Sequence, residues 1–286
     1  MRGGDELRVC TRTTTKFTLQ GSNTYLVGTG EKRILIDTGT NLLPLWLSCL
    51  LISPRNSAAG NPHWLHTLKK VLQAENAQVS TALMTHWHHD HVGGVDLLRS
   101  ISPNTVFYKN NPGQGQDNIA DGQAFTVEGA TLTAYHTPGH TVDHMCFFFH
   151  EESALFTGDN VLGHGTSVFE DLATYMSSLR KMERIPGLTG QGYPGHGEVL
   201  EDAKSTVNTY IAHREVRERQ VLTVLKERYQ LHNDGGMTTI EIVGVIYKDV
   251  SRELWPAAEK GVLQILAKLE AEKKVMRNGY RWLYLA

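Results

Sequence analysis

The sequence predicts an α/β protein in which two β-sheets pack together with helices outside, followed by a small module of two helices and a hairpin. Strand and helix patterns alternate over the first 120 residues. Strand patterns then follow one another from residue 121 to residue 160, and two helix patterns and a hairpin pattern end the chain. This order is typical of two packed sheets with outer helices. With 286 residues, of which 40% are hydrophobic, the chain can bury a large core.

Short apolar runs bounded by glycine predict the strands of the first half, and apolar residues at helical spacing predict its helices. Residues 17–39 contain two strands, and the second includes the continuous apolar run at 34–36. The other elements are a helix at 62–75, a strand at 79–85, a helix beginning at 94 and a strand at 105–110. A polar loop covers residues 110–118.

Turn residues between apolar runs divide the second half in the same way. Its patterns are hairpins at 125–137 and 146–159, helices at 169–182 and 202–230, a short strand before Pro194, helices at 237–250 and 257–274, and strands at 275–280 and 281–285. Turn residues at 233–236 mark a boundary. We therefore expect a main domain at 1–205, a connecting helix at 206–236 and a winged-helix-like domain at 237–286.

The charge balance and the cysteines argue against several classes of protein. The formal net charge is −2, so no global basic field attracts nucleic acid or an anionic membrane. Three cysteines without a CxxC spacing form no disulfide framework, which together with a polar N-terminus predicts a cytoplasmic protein. The longest apolar stretch, at 42–52, is too short to span a membrane. The longer apolar segment at 42–60 is expected to be an insertion, and a membrane-contact loop and a lid are the alternatives.

Residues 86–91, with the sequence HWHHDH, concentrate candidate metal ligands directly after a strand pattern. Imidazole and carboxylate groups are ligands for Zn, Mn and Fe. His86 and His88 share one face of an extended loop, whereas Asp90 and His91 follow a turn and can reach a second ion. The alternative is a histidine-rich loop that binds no metal.

Three further strand ends carry a candidate ligand at a tight turn. His140 follows Thr-Pro-Gly, Asp159 follows Thr-Gly, and His196 follows Tyr-Pro-Gly. Each of these residues alone is weak evidence, because a histidine in a turn is usually just exposed. Together with residues 86–91 they place candidate ligands in four loops that follow strands, where side chains can converge.

The order HxHxDH, histidine, aspartate, histidine resembles that of the metallo-β-lactamase-fold hydrolases, over roughly residues 17–200. The resemblance implies a four-layer αββα sandwich with two divalent metal ions. Zn is favoured by the histidines, and Mn or Fe accept the same ligands. The implied ligands are His86, His88 and His140 for one ion, Asp90, His91 and His196 for the other, and Asp159 as the bridge between them.

The resemblance also implies roles beyond ligation. Asp90 and Asp159 are the implied catalytic carboxylates, and Asp37 is implied to hold a metal-binding histidine in place. The alternative for Asp37 is a cap on a strand-end turn. Two ions about 3.5–4 Å apart would lower the pKa of a shared water toward ~7 and supply hydroxide for attack on a carbonyl or phosphoryl group. The sequence has no GxSxG motif, so a covalent serine mechanism is not expected.

Longer strings, among them FTLQGSNTYLVGTG and YPGHGEVL, resemble the β-lactamase-like protein 2 subgroup of this family. One branch of that subgroup contains a single-strand-specific endoribonuclease, and another contains fungal hydrolases of polyketide clusters. The strings GDNVLGHGTSVFEDL and KNNPGQGQDNIADGQ are similar to the fungal branch. The resemblance therefore implies a thioesterase of secondary metabolism, whose partners are an acyl-carrier-bound aromatic polyketide and its polyketide synthase.

Two other functions stay open. The first is an endoribonuclease with RNA as its partner, although residues 237–286 carry only eight Lys and Arg against six Asp and Glu. This is a mild excess for a winged helix that binds nucleic acid tightly. The second is a non-catalytic, metal-stabilised binding module, although all seven implied ligands are present.

Two histidines outside the ligand set have separate expectations. His164 lies just beyond Asp159, so it is a candidate for the substrate pocket or, alternatively, a cap of the next helix. His144 begins a strand and is expected to be a structural histidine with satisfied hydrogen bonds.

Overall fold

The computed structural model of the chain describes residues 7–11, 21–39, 62–232 and 236–286. Outside the described residues lie part of the predicted strand region at 17–20, the apolar insertion at 42–60 and the boundary residues 233–235. The described ranges form two large sheets and a separate two-stranded hairpin. No helix within these ranges is long and apolar enough to cross a membrane.

The first sheet has six strands that lie side by side in chain order. They are β1 (Leu7–Thr11), β2 (Ser22–Val27), β3 (Lys32–Ile36), β4 (Gln78–Met84), β5 (Val106–Lys109) and β6 (Asp117–Asn118). The parallel pairs β3–β4 and β4–β5 bring three strand ends to one edge of the sheet. The apolar runs of β3 and β4 are largely buried, as expected for parallel strands covered on both faces.

The second sheet has five strands in the order β11-β10-β9-β8-β7. They are β7 (Ala124–Val127), β8 (Ala130–His136), β9 (Met145–Phe149), β10 (Ala154–Gly158) and β11 (Gly192–Pro194). Both predicted hairpins are confirmed, because β7 pairs antiparallel with β8 and β9 pairs antiparallel with β10. β10 and β11 run parallel, so Gly158 and Pro194 end at the same edge of this sheet.

The helices that accompany these two sheets are α1 (Pro62–Ala74), α2 (His89–Val92), α3 (Val95–Ile101), α4 (Leu172–Glu183) and α5 (Ala203–His232). They cover the outer faces of the two sheets, except for the short α2, which follows the end of β4. Ile36 and Phe147 belong to the buried cluster between the two sheets. Trp64 of α1 packs with Leu35 on the other face of the first sheet, and Leu179 of α4 belongs to the cluster outside the second sheet. The order helix, sheet, sheet, helix is the four-layer αββα sandwich that the sequence implies.

The C-terminal module consists of two helices and a hairpin, as predicted. These elements are α6 (Thr239–Ile246), α7 (Trp255–Ala271), β12 (Val275–Asn278) and β13 (Arg281–Tyr284). Thr238 and Glu241 form a capping box that begins α6. Leu266 and Val275 of the module share one buried cluster with Leu179 of the main domain. The module therefore packs on the main domain as part of a common core.

Some element boundaries differ from the sequence prediction. The prediction lacks the edge strand β1, and it treats the two residues of β6 as loop because so short a strand shows no periodicity. α6 ends at Ile246 rather than at residue 250, since Tyr247 already leaves the helical conformation with φ −112° and ψ 29°. α5 begins one residue after the start of the predicted helix at 202–230 and ends two residues after its end.

The common core makes a prediction about unfolding. Leu266 is fully buried on α7, so Leu266→Ala should lower the free energy of unfolding by about 2–5 kcal/mol. We expect the loss to move one cooperative transition, which calorimetry would measure. Leu263→Ala on the same helix is the matched control, because Leu263 is 43% exposed and should cost less than about 0.5 kcal/mol. Two separate transitions, of which only one shifts, would contradict a common core.

Candidate metal centre

The histidine loop begins where β4 leaves the first sheet. His86 lies in the extended part of the loop, and His88 still has extended angles, with φ −56° and ψ 140°, before α2 begins. Asp90 and His91 lie on α2, where the His91 N–H donates to His88 O at 2.9 Å. The change from extended to helical backbone separates the first pair of ligand candidates from the second pair.

The first ligand group consists of His86, His88, His140 and Asp159, whose ligand atoms all lie within 4.8 Å of one another. His88 Nδ1 lies 2.9 Å from His86 Nε2 and 3.1 Å from His140 Nε2. Asp159 Oδ2 lies 3.9 Å from His86 Nε2 and 3.6 Å from His140 Nε2. Three imidazole nitrogens and one carboxylate oxygen therefore face a common space.

The second ligand group consists of Asp90, His91 and His196. The Nε2 atoms of the two histidines lie 3.3 Å apart, and Asp90 Oδ2 lies 3.4 Å from one and 3.2 Å from the other. Asp159 reaches this group as well, because its Oδ2 lies 3.2 Å from His196 Nε2 and its Oδ1 lies 3.6 Å from His91 Nε2. The structure thus brings all seven implied ligands together, with Asp159 between the two groups.

Four ligand histidines use their second ring nitrogen to contact a protein oxygen. The partners of Nδ1 are Thr85 Oγ1 for His86, Asp37 Oδ2 for His91, Val168 O for His140 and Gly21 O for His196, at distances between 2.7 and 2.9 Å. A contact of this kind orients the ring and leaves Nε2 as the free ligand atom. In all four rings Nε2 is the atom that faces the other ligands.

The donor set fits divalent metal ions. Asp159 is only 3% exposed, and among the described residues its Oδ1 receives no hydrogen bond. A buried carboxylate oxygen that faces imidazole nitrogens requires a cation or a donor to offset its lost hydration. Imidazole and carboxylate ligands suit Zn, Mn and Fe, and the donor set does not distinguish among them.

The protonation of the histidines differs between the two groups. Burial lowers the pKa of His86 and His88, so these imidazoles are neutral, as metal ligation requires. Burial also opposes charge on His91 and His196, but the neighbouring carboxylates together outweigh it. These carboxylates are Asp159 and Asp37 beside His91, and Asp159 and Asp90 beside His196. The pKa of His91 is raised, and that of His196 is raised to about 9. Metal binding by the second group therefore releases protons.

Asp37 contacts His91 from a left-handed backbone position with φ 59°. Its Oδ2 lies 2.7 Å from His91 Nδ1, and its Oδ1 accepts a hydrogen bond of 2.8 Å from the Thr85 N–H. Its contacts are compatible with both alternatives from the sequence, because the side chain lies against a candidate ligand histidine and also accepts a hydrogen bond from the backbone at the end of β4. The carboxylate is 2% exposed and favours the tautomer of His91 that carries hydrogen on Nδ1.

Two supporting residues on β2 are missing from the sequence prediction. Ser22 Oγ donates to Asp90 Oδ2 at 2.9 Å. Asn23 Nδ2 donates to Pro194 O at 2.8 Å and to Gly197 O at 3.0 Å, which holds the loop of His196. The sequence signal that could have found them is the pair of polar residues at the start of a buried strand, because buried polar side chains need hydrogen-bond partners.

The two remaining histidines, His144 and His164, have different environments in the structure. His144 is fully buried, its Nε2 accepts a hydrogen bond of 3.0 Å from the Asp159 N–H, and its Nδ1 lies 3.1 Å from Thr137 Oγ1. The prediction of a structural histidine is confirmed. His164 is exposed, and it does not cap the next helix, because Asp171 occupies that position and accepts from the Thr174 N–H. Its place in a substrate pocket stays a prediction.

A four-layer sandwich with two adjoining ligand groups at its strand ends defines a class of metal-binding α/β proteins. The chain belongs to the metallo-beta-lactamase superfamily, whose family model matches residues 17–196. Members of this superfamily are generally metal-dependent hydrolases. The model of the beta-lactamase associated winged helix domain matches residues 238–282.

Curated fungal proteins are similar to this chain over most of its length. Lactamase-like protein aptB of Emericella nidulans is 46% identical over 262 residues, which cover 90% of this chain and 78% of the relative. Lactamase-like protein nscB of Arthroderma gypseum is 46% identical over 267 residues, with coverage of 90% and 79%. Lactamase-like protein ptaB of Pestalotiopsis fici is 42% identical over 289 residues, with coverage of 98% and 86%.

Solved structures show the same fold. A metallo-beta-lactamase family protein from Thermus thermophilus has a TM-score of 0.70 at 20% identity, with 98% of each chain covered. A beta-lactamase domain protein from Burkholderia ambifaria has a TM-score of 0.75 at 16% identity, with coverage of 98% of this chain and 91% of that chain.

The contact between Asp37 and His91 predicts a selective loss of metal affinity. Asp37→Asn tolerates the left-handed backbone but removes the charge that orients His91. In a zinc titration we expect binding at the second ligand group to be about 10–100-fold weaker, as measured by competition with a chromophoric chelator. The control is Asp96→Asn, because the Asp96 side chain is 94% exposed. Unchanged affinity for both ions in Asp37→Asn would contradict this role.

Proposed function

We propose that this chain is a binuclear metal-dependent thioesterase that releases an aromatic polyketide from the acyl carrier protein of a polyketide synthase. The observation that carries the hydrolase part is the pair of ligand groups that share Asp159. The similarity to fungal lactamase-like proteins supports a role in secondary metabolism. The strings that resemble the fungal polyketide branch support the thioester part. The proposal includes a cytoplasmic location beside the synthase.

The first ligand group would hold one divalent ion and the second group the other, with Asp159 between them. Bound ions of this kind lower the pKa of water and polarise a carbonyl oxygen. The chain itself keeps the Nε2 atoms of four histidines turned toward one space, through the oxygens behind each ring. This preorganisation means that the ligands need little rearrangement during turnover.

The reaction forms a bond between a water oxygen and the acyl carbon, and it breaks the carbon–sulfur bond. One proton of the water passes to the departing sulfur, so the products are a carboxylic acid and a thiol. Of the two implied catalytic carboxylates, Asp90 is the more accessible, because its side chain is 38% exposed whereas that of Asp159 is 5% exposed. Burial raises the pKa of Asp90, but hydrogen bonds with His196 and His91 hold it well below its usual range, so this carboxylate stays ionised. A thiolate leaves readily, since thiols have a pKa of roughly 8.5, so no separate acid has to protonate it first.

The charges of the C-terminal module favour a thioester over RNA. Lys268 lies 2.7 Å from Glu218, and Lys274 lies 2.7 Å from Glu272. Arg281 is paired with a glutamate in the same way, at 3.3 Å. Basic side chains that already face carboxylates contribute little net attraction for a phosphate backbone. Three of the eight basic side chains of this module therefore face carboxylates, which reduces its attraction for RNA.

Zinc-loaded protein should hydrolyse an aromatic acyl thioester, presented on N-acetylcysteamine or on a carrier protein, and should leave single-stranded RNA intact. Chelation should abolish thiol release and added zinc should restore it, because the ions supply the hydroxide. Thiol release is followed with a chromogenic disulfide, and RNA cleavage is followed on a gel.

The matched variants for this assay are His88→Ala and His89→Ala. His88→Ala removes a ligand and should reduce thioester turnover more than about 100-fold, beyond the usual effect of a supporting residue. His89 is exposed on α2 and faces no ligand group, so His89→Ala should retain activity. RNA cleavage without thioester cleavage would reverse the proposal, and metal-bound protein without either activity would favour a binding module.

His164 offers a test of the substrate pocket. It is exposed, and its neighbour Gly163 pairs with Gly197 beside the ligand His196. His164→Ala should raise KM for the thioester about two- to tenfold with kcat and metal content unchanged, as expected for loss of one binding contact. His213→Ala, at an exposed position of α5, is the control. An unchanged KM in His164→Ala would remove this residue from the pocket.

A further inference from the structure

The 167–172 segment contacts His140 on the side of the ring that faces away from the ligand group. Val168 O accepts a hydrogen bond from His140 Nδ1 at 2.8 Å. Ser167 Oγ donates to the same carbonyl oxygen at 2.8 Å. With hydrogen on Nδ1, the lone pair of Nε2 is directed toward the first ligand group. The position of the Val168 carbonyl therefore sets both the tautomer and the orientation of His140.

The same segment also holds the turn that carries His140. Gly139 O accepts hydrogen bonds from Glu170 N at 2.7 Å and from Asp171 N at 3.3 Å. Gly139 has φ 131°, and a Cβ atom at this residue would lie 2.3 Å from Tyr175 Cα. The turn thus lies against the first residues of α4, so a displacement of the 167–172 segment would move the turn and the ligand together.

Arg214 of the connecting helix α5 binds the beginning of this segment. Its Nη2 donates to Ser167 O at 2.7 Å. Its guanidinium lies 4.8 Å from the ring centroid of Phe169, which stacks on Tyr175 at 5.2 Å. No described residue accepts a hydrogen bond from its buried Nε. The hydrogen bond to the Ser167 carbonyl and the packing on Phe169 therefore join α5 to the beginning of the segment.

Gln264 of the C-terminal module binds the other end of the segment. Its Nε2 donates to Glu170 O at 3.0 Å, and its Oε1 accepts from Leu172 N at 3.4 Å. Gln264 lies on α7, more than ninety positions later in the chain than either partner. The amide therefore joins the C-terminal module to the residues that precede and begin α4.

We propose that Arg214 and Gln264 are positioning residues for His140, through which the connecting helix and the C-terminal module control metal affinity at the first ligand group. The inference rests on the metal binding contained in the proposed function, and it does not depend on the substrate. Neither residue is a ligand or a catalytic group. Each acts on the backbone of the 167–172 segment, whose Val168 carbonyl orients the imidazole.

The second ligand group has supports of its own. They are Gly21 for His196, Ser22 for Asp90 and Asp37 for His91. These residues lie on or beside β2 and β3 of the first sheet, remote in sequence from the 167–172 segment. Loss of Arg214 or Gln264 should therefore weaken one ion and spare the other, which a general loss of stability would not do.

The test measures both zinc affinities of the full-length chain by competition with a chromophoric chelator. Cobalt(II) absorption after each equivalent reports the ligand geometry of each ion. Arg214→Met keeps the length of the side chain without its N–H donors, and Gln264→Leu keeps its approximate shape without the amide. We expect each variant to bind one ion about 10–100-fold more weakly, with altered cobalt absorption for that ion alone.

Arg217→Met is the matched control for Arg214→Met. Arg217 lies on the same helix, with its guanidinium 5.0 Å from the ring of Tyr247 in the C-terminal module. This variant also removes an arginine that packs on an aromatic ring, but it should leave both zinc affinities unchanged. The double variant of Arg214 and Gln264 should lose less than the product of the single losses, because both residues act through His140.

Wild-type protein in the same titration separates the inference from the proposed function. A wild-type chain that binds no zinc would overturn both. If the wild type binds two ions and the variants either match it or lose both affinities to the same degree, the positioning role alone is overturned. A selective loss at one ion that Arg217→Met does not reproduce would support the role.

Discussion

The buried carboxylate of Asp159 is the charge on which the arrangement of the site depends. An ionised carboxylate is costly to remove from water unless positive or donating groups surround it. Burial raises the pKa of Asp159, but His91 and His196 outweigh this effect and hold the pKa well below its usual range. His86 and His140 also lie within 4 Å of the carboxylate. The groups that surround this carboxylate lie in loops that follow strands of both sheets. The packing of the two sheets brings these loops together.

The ligands occupy defined positions because a second layer of the structure holds them. The Asp37 carboxylate contacts His91, and backbone carbonyl oxygens contact the rings of His140 and His196. The Ser22 hydroxyl donates a hydrogen bond to Asp90. These supports come from the first sheet and from the segment before α4. Loss of a contact of this kind typically costs about 10–100-fold in metal affinity or activity. The shared core ties the C-terminal module to the same segment, so that module is part of the support of the site.

The sequence predicted the parts of the fold that have local signals. These signals lie within short windows of sequence, where the spacing of apolar residues and the turn residues reveal them. Examples are the apolar runs of β3 and β4, the two hairpins and the helical spacing of α1. The strands β1 and β6 were missed because they gain their conformation from pairing with a neighbour. Ser22 and Asn23 were missed because the alternation of β2 describes packing, whereas their hydrogen bonds join loops more than sixty positions away.

By itself the sequence determined which donors are available, because imidazole and carboxylate chemistry and the spacing of residues 86–91 are properties of the chain. Resemblance to a known family supplied the expected grouping of those donors. Only the tertiary structure decided which oxygens stand behind His140 and His196, and that Arg214 and Gln264 reach the 167–172 segment. The physical reason is distance along the chain. Periodicity and turn chemistry act over a few residues, whereas these contacts form when separate elements pack.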